Sequence, residues 1–259
     1  MSLKQIIGAI IPFSIGITLL NIVGCNSESV DSQDVRSSGI WAKMEVDGRG
    51  DGRSRVVVEL NAGGRFGTNV VLSGGEYLEV VAAGVTKRMV EDNDILDIDY
   101  QAYIDSTVSE TEFNIRFYRN DGENITNSRA FLPTSFEITQ PLTNTSYGLE
   151  DNVILVWTPE VSNGSIRLFS SISCTSSEGG GITRSESNFI DDTGTYNFDI
   201  SAANMFENGT TGLNTAQSCG MEFTLQRESF GNVDPAFGEG GSFKATQSRE
   251  VGGLTINPQ

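Results

Sequence analysis

Apolar and polar residues alternate with a period of two through most of the chain after residue 38. The alternation is clearest in three runs, residues 56–61, 96–105 and 113–118. Asp-Gly and Gly-Gly pairs, which favour turns, separate such runs at 47–48, 51–52, 63–64, 74–75 and 121–122. A helical period is absent apart from one weak stretch, 201–208, which Gly209 closes. The pattern predicts an all-β protein built of antiparallel strands packed as sandwiches.

Two prolines, Pro133 and Pro141, interrupt the strand pattern in the middle of the chain. Proline cannot donate a hydrogen bond to a strand ladder, so we place a domain boundary here. We predict two β-sandwich domains in tandem, residues 39–135 and 136–259, each long enough to bury its own core.

The second predicted domain contains the stretch VILVWTPE at 153–160. Val153, Leu155 and Trp157 share one face of this strand, so we expect the indole in the core between two sheets. The Leu-x-Trp-x-Pro spacing resembles the second strand of immunoglobulin-like and fibronectin type III modules. The resemblance implies an Ig-like sandwich for residues 136–259.

The first 24 residues have the pattern of an export signal. Lys4 supplies a positive charge, and residues 6–23 are mostly apolar, with Pro12 and several small or polar residues among them. Such a composition is typical of a signal peptide rather than of a well-anchored membrane span. We interpret residues 1–24 as a lipoprotein signal peptide.

The signal ends in Ile22-Val23-Gly24-Cys25, which resembles a bacterial lipobox. The resemblance implies cleavage between Gly24 and Cys25 and attachment of acyl chains such as palmitate to the Cys25 thiol, which would anchor the protein in a membrane. The residue after the cysteine is Asn26 rather than aspartate, and this favours the outer membrane over the inner membrane. The protein could face either the periplasm or the cell surface. The alternatives are an ordinary cleaved signal or a single-span anchor with an incidental cysteine.

Residues 25–38 contain almost no apolar side chains beyond the lipidated cysteine. We expect a flexible linker with a root-mean-square reach of about 20 Å. The folded part would then stand away from the membrane.

Two cysteines remain after lipidation of Cys25. Cys174 and Cys219 form an even pair in an oxidising compartment, which favours a disulfide over two free thiols. Both have the parity of core-facing strand residues, so we predict a bond between two sheets.

Composition excludes several functions. The chain has 259 residues, no histidine and a formal net charge of −17. Without histidine there is no Ser-His-Asp triad, no Cys-His pair and no HExxH zinc helix. The negative charge repels phosphate backbones, so we expect no nucleic-acid partner.

Five carboxylates cluster between residues 91 and 99. Oxygen ligands of this kind suit Ca²⁺, and the candidate ligands are Asp92, Asp94, Asp97 and Asp99 beside Glu91. The spacing of an EF-hand is missing. We therefore favour a solvated strand face, and we predict no metal or other cofactor.

The runs 96–104 and 112–118 are neighbours in sequence, which suggests a hairpin. In that pairing Asp99 lies opposite or diagonal to Arg116, and the two form an exposed cross-strand ion pair.

Other motifs indicate connections rather than chemistry. Arg49-Gly50-Asp51 lies in a turn-like repeat at 47–52, and the Gly-rich stretches 178–181 and 238–241 lack the Gly-Lys-Ser/Thr ending of a phosphate loop. Paired carboxylates for glycoside hydrolysis arise by accident in any acidic sandwich. We therefore predict that the protein is not an enzyme.

The chain as a whole resembles a family of exported lipoproteins of Gram-negative bacteria with no assigned activity. The lipobox carries the resemblance together with four stretches, at 72–80, 129–141, 153–160 and 234–251. It implies a paired β-sandwich on a lipid anchor. We expect a non-enzymatic interaction or structural role in the envelope, with an envelope protein as partner. The alternatives are a Ca²⁺-dependent adhesion or carbohydrate-binding module and, third, a periplasmic hydrolase.

Overall fold

The computed structural model of the protein describes residues 29–93, 98–120, 122–159 and 164–259. The predicted all-β class is confirmed, since the regular structure there is β-strand apart from three short 3-10 turns. No helix in these ranges is long and apolar enough to span a membrane. The strands are β1 Ser29–Asp31, β2 Ile40–Gly48, β3 Ser54–Ala62, β4 Thr68–Val71, β5 Tyr77–Ala82, β6 Val85–Arg88, β7 Val90–Asn93, β8 Ile98–Ile104, β9 Glu112–Tyr118, β10 Ile125–Phe131, β11 Ile138–Gln140, β12 Ser146–Gly148, β13 Asn152–Trp157, β14 Ser165–Thr175, β15 Gly181–Asp191, β16 Thr195–Asp199, β17 Cys219–Phe230 and β18 Gly241–Asn257.

Three sheets form the two sandwiches. The largest has eleven strands, and its main path runs β1-β4-β3-β2-β18-β17-β14-β15. A four-stranded sheet, β10-β9-β5-β6, packs on one part of it, and a three-stranded sheet, β11-β13-β16, packs on another. The predicted pair of sandwiches is therefore present, with one sheet common to both.

Strand β18 is shared by the two cores. Its first half pairs in parallel with β2 and buries Phe243 and Ala245 in the first core, whereas Val251, Leu254 and Ile256 in its second half belong to the second core. Because a 17-residue strand is continuous through both layers, the sandwiches are joined by backbone ladders as well as by a linker. The domain boundary between residues 135 and 136 stays a prediction. The structure adds that β18, near the end of the sequence, returns to complete the first sandwich.

The Arg227 guanidinium closes the junction between the sandwiches. It donates to both carboxylate oxygens of Asp192, at 2.6 and 2.9 Å, and to the carbonyls of Thr134 and Thr158, at 3.0 and 2.7 Å. Asp192 also accepts a 2.7 Å hydrogen bond from the Trp157 indole. The network ties the segment between the two sandwiches, at Thr134, to the second core.

The predicted flexible linker is wrong from Ser29 onward. Strand β1 pairs in parallel with β4, and 3-10 turns follow at Ser32–Asp34 and Ser37–Gly39. Arg119 donates to the backbone carbonyls of Ser32 and Val35, at 2.6 and 2.9 Å, and pairs with the buried Glu76. Hydrogen bonds from Arg119 to backbone carbonyls therefore order this segment, although most of its side chains are polar.

The predicted hairpin of the acidic run with the next strand is also wrong. Strand β8 pairs with β3 and β7, while β9 pairs with β5 and β10 in the other sheet. Arg116 consequently faces Glu79, 3.5 Å away, rather than Asp99. The residues between β8 and β9 cross from one sheet to the other.

The disulfide between Cys174 and Cys219 is confirmed, but its predicted position between two sheets is wrong. The two cysteines lie on adjacent strands of one sheet, one step beyond the registered pair Ser173 and Gly220, with 4.3 Å between their Cα atoms. Both are buried against the second core.

Candidate binding surface

The outward face of the eleven-stranded sheet runs across both sandwiches. On β2, β3, β14 and β17, core-facing residues alternate with residues that stay partly exposed. The outward-facing residues align in rows through the register: Arg55 lies opposite Asp47, Asp47 opposite the buried Thr246, and Thr246 opposite Glu228. We call this surface the open face.

Four shallow clefts overlap on the open face and form one groove. Successive clefts share residues: the first and second share Asp47, Arg49 and Gln226, the second and third share Thr224, and the third and fourth share Ser171 and Glu222. Their volumes are about 160, 360, 280 and 220 Å³. The groove thus extends from β3 and β2 across β18 and β17 to β14 and β15.

Hydrogen bonds fix the side chains in the middle of the groove. Asp47 accepts from the hydroxyls of Ser248 and Thr246, at 2.7 and 2.9 Å, and from Nε of Arg49 at 2.7 Å. Its hydrogen bond and charge raise the pKa of the Arg49 guanidinium. Gln226 donates to Ser248 at 3.1 Å. The donors and acceptors that line the groove are therefore held in place before any ligand arrives.

A ladder of alternating charge crosses the open face, and two of its members, Glu45 and Lys244, line the first cleft of the groove. Each contact between successive members is 3.4 to 4.0 Å long. The members, in spatial order, are Glu59, Lys43, Glu45, Lys244, Glu228 and Arg167. Partly exposed pairs contribute at most about 1 kcal/mol each. Their main effect is electrostatic, since three acids and three bases leave this strip neutral in a chain of net charge −17.

Aromatic side chains lie along the ladder, at its Arg167 end and beside Lys244. The Arg167 guanidinium stands 4.4 Å from the ring centre of Phe189 and 5.7 Å from that of Phe169. Phe189 is 60% exposed, and Phe230, opposite Lys244 in register, is 75% exposed. The open face therefore offers flat apolar surface next to hydrogen-bonding groups.

The predicted carboxylate cluster is only partly described. Asp92 and Asp99 lie opposite each other on β7 and β8, and Asp92 accepts a 2.6 Å hydrogen bond from Gln101. Asp94 and Asp97 fall outside the described residues. Within the described ranges no group of three His, Cys, Asp or Glu side chains is placed to hold a metal ion. The calcium candidates stay a sequence prediction.

The other predicted sites lie either outside the described residues or in turns between strands. Gly24 and Cys25 fall outside the described residues, so the lipid anchor is untested. The repeat at 47–52 covers the end of β2 and most of the connection to β3, and residues 178–181 form the turn into β15, as predicted. Sequence analysis missed the groove, because its residues come from strands distant in the chain.

No protein-family model matches the sequence, and no curated protein matches it. Among solved structures, the complex of Dpr11 IG1 with DIP-gamma IG+IG2 aligns over 80% of this chain and 96% of that chain at 7% identity and a TM-score of 0.23. The fibronectin(III)-like modules of Clostridium thermocellum CbhA align over 82% and 90% at 13% identity and a TM-score of 0.21. The Bacteroides ovatus SGBP-B complex with a mixed-linkage heptasaccharide aligns over 97% and 70% at 11% identity and a TM-score of 0.20. Likenesses at these scores decide neither the fold in detail nor the function.

Proposed function

We propose that the protein is a lipid-anchored, non-enzymatic binding component of the bacterial outer membrane, and that the groove on the open face is its binding surface. The observation that carries the proposal is the continuity of the groove across both sandwiches. One sheet supplies all the strands beneath it, so a long ligand meets a single rigid surface.

The lipid anchor is tested by metabolic labelling. Wild-type protein should take up labelled palmitate, and Cys25→Ser should block uptake and leave the uncleaved precursor. Absence of label from the wild type would remove the anchor from the proposal.

The groove is tested by site-specific photo-crosslinking in intact cells. A photo-reactive residue at Thr224, in the groove, should capture an envelope partner, whereas the same residue at Thr86, exposed on β6 of the other sheet, should not. Equal capture at both positions would show that the groove is not the binding surface.

A glycan ligand is the second candidate, favoured by the lining of the groove. Hydroxyls of Ser171 and Ser248, the Gln226 amide and the Phe169 ring combine polar and aromatic contacts in adjoining clefts. Gln226→Ala should weaken binding of envelope oligosaccharides in calorimetry, while the distant, exposed Gln33→Ala should not. Binding unchanged by EDTA would separate this candidate from the Ca²⁺-dependent alternative; equal affinity of both variants would reject the groove as a glycan site.

A further inference from the structure

Phe66 is the most exposed of the large apolar side chains named among the described residues, at 94%. It lies in the tight turn Gly64-Arg65-Phe66-Gly67, which a 2.9 Å hydrogen bond from the Gly67 amide to the Gly64 carbonyl closes. The turn requires its glycines: Gly64 has a φ of +112°, and a Cβ on Gly67 would lie 1.8 Å from the Ala62 carbonyl oxygen. The backbone thus holds Arg65 and Phe66 at the two central positions of the turn, directed away from the core.

Exposure alone does not assign a role to Phe66, because single exposed apolar residues are common. Its position in the fold does. Strand β1 pairs in parallel with β4, with Ser29 opposite Asn69. The chain therefore enters the described structure at the end of the first sandwich where the 64–67 turn stands, since this turn leads directly into β4.

The separation from the proposed anchor is short. Four peptide units join Cys25 to Ser29, and a fully extended chain spans at most about 3.6 Å per residue, or about 14 Å in all. Because Ser29 is already held by β4, an acylated Cys25 would keep this end of the sandwich within reach of the lipid headgroups, whose layer is several ångströms thick.

The two side chains of the turn suit that environment. Arg65 is exposed, and its guanidinium stands 5.5 Å from the ring centre of Phe66. Trp, Phe and Leu side chains of proteins that lie on membranes enter the boundary between headgroups and acyl chains, and an arginine beside the ring matches the phosphates. The carboxylate of Glu239 also lies near Gly64, so Arg65 does not make the turn strongly basic, and the apolar ring is the larger part of the expected contact.

We infer that the 64–67 turn is a membrane-contact site, with Phe66 inserted among lipid headgroups and acyl chains beside the anchor. This inference rests on the proposed lipid anchor. It fixes the orientation of the molecule, because the junction with the second sandwich lies at the opposite end of β3, about 26 Å away at 3.3 Å per residue. The second sandwich then points away from the membrane.

The test uses the native lipidated protein reconstituted in phosphatidylcholine vesicles that contain a brominated phosphatidylcholine. Phe66→Trp is compared with Val108→Trp, a 67% exposed position between β8 and β9 at the far end of the first sandwich. The parent protein gives the baseline for Trp41 and Trp157. The tryptophan added by Phe66→Trp should be quenched by bromolipid and emit at shorter wavelength than in detergent-free buffer, and the one added by Val108→Trp should be quenched by aqueous acrylamide alone.

Two failures are distinguishable. If the parent protein does not float with the vesicles, the anchor is lost and the inference falls with it. If the parent floats, but the new indole of the Phe66→Trp variant is as open to acrylamide as that of Val108→Trp and is unaffected by bromolipid, the anchor stands and the membrane-contact site is overturned.

Discussion

Arg227 is the largest fully buried side chain of the described residues, and its charge is compensated by Asp192. Removing one partner of such a pair leaves the other charge buried and uncompensated, which costs about 3–5 kcal/mol. Asp192→Asn should therefore lower the free energy of unfolding by about that amount in urea titrations. Asp191→Asn, an exposed neighbour, is the matched control and should change stability by less than about 0.5 kcal/mol. Equal effects would show that the pair does not hold the junction.

Tyr100 makes stability depend on alkaline pH. Burial of the phenol raises its pKa from 10.0 to about 12; the charge of Glu91 adds to this shift, and the hydrogen bond from the Leu72 amide opposes it. The pKa is higher in the folded state than in the unfolded one, so the contribution to stability is complete below pH 10 and is lost as pH rises towards 12. Unfolding titrations between about pH 9 and 12 should show a shallower decline for Tyr100→Phe than for wild type. Parallel declines would contradict the assignment.

Sequence parity predicted many buried residues correctly and missed the buried charges. Leu155 and Trp157 are buried as their alternation required. Arg227 has the same parity as the core residues Phe223 and Leu225, and this was the available signal. A charged residue at a core-facing position interrupts the apolar pattern. The groups that compensate its charge lie far away in the sequence, so the pattern does not indicate that the arginine is buried.

At the level of elements, Arg119 orders the segment that follows Ser29. Its Nη2 donates to both backbone carbonyls while its Nε donates to Glu76, and the single nitrogen of lysine cannot reproduce this combination. Arg119→Lys should therefore speed amide hydrogen exchange in residues 29–39 several-fold while the core strands stay protected. Arg129→Lys, whose side chain is 48% exposed, is the control. Unchanged exchange would mean that pairing of β1 with β4 suffices.

Strand existence was predictable, whereas strand partners were not. Alternation predicts the strands β8 and β9. It indicates that one side of each strand is buried, but it does not indicate which sheet buries that side. Neighbouring strands in a sandwich often cross between sheets, and here the loop from Asp105 to Thr111 makes that crossing. The same limit explains the disulfide: parity placed both cysteines towards the core, and only the register of β14 with β17 made them neighbours.

For the whole molecule, the shared β18 predicts cooperative unfolding. Tandem domains joined by a linker alone unfold separately, whereas here loss of β18 removes strands from both cores at once. Calorimetry should show one transition, with tyrosine and tryptophan fluorescence changing together. Two resolved transitions would indicate that the sandwiches are independent despite the common strand. Alternation along the chain contains no signal of this coupling, because parallel pairing of β2 with β18 joins residues about two hundred positions apart.

The pairing of β2 with β18 also sets the order of assembly in time. A polypeptide emerges from a ribosome or a translocation pore amino-terminal end first, so residues 40–132 are free before β18 exists to complete their sheet. During that interval the β2 edge exposes unpaired amide and carbonyl groups, and a chain stalled before residue 241 has a ready template for strands of other molecules. Until its last long strand is available, the chain therefore needs protection from aggregation.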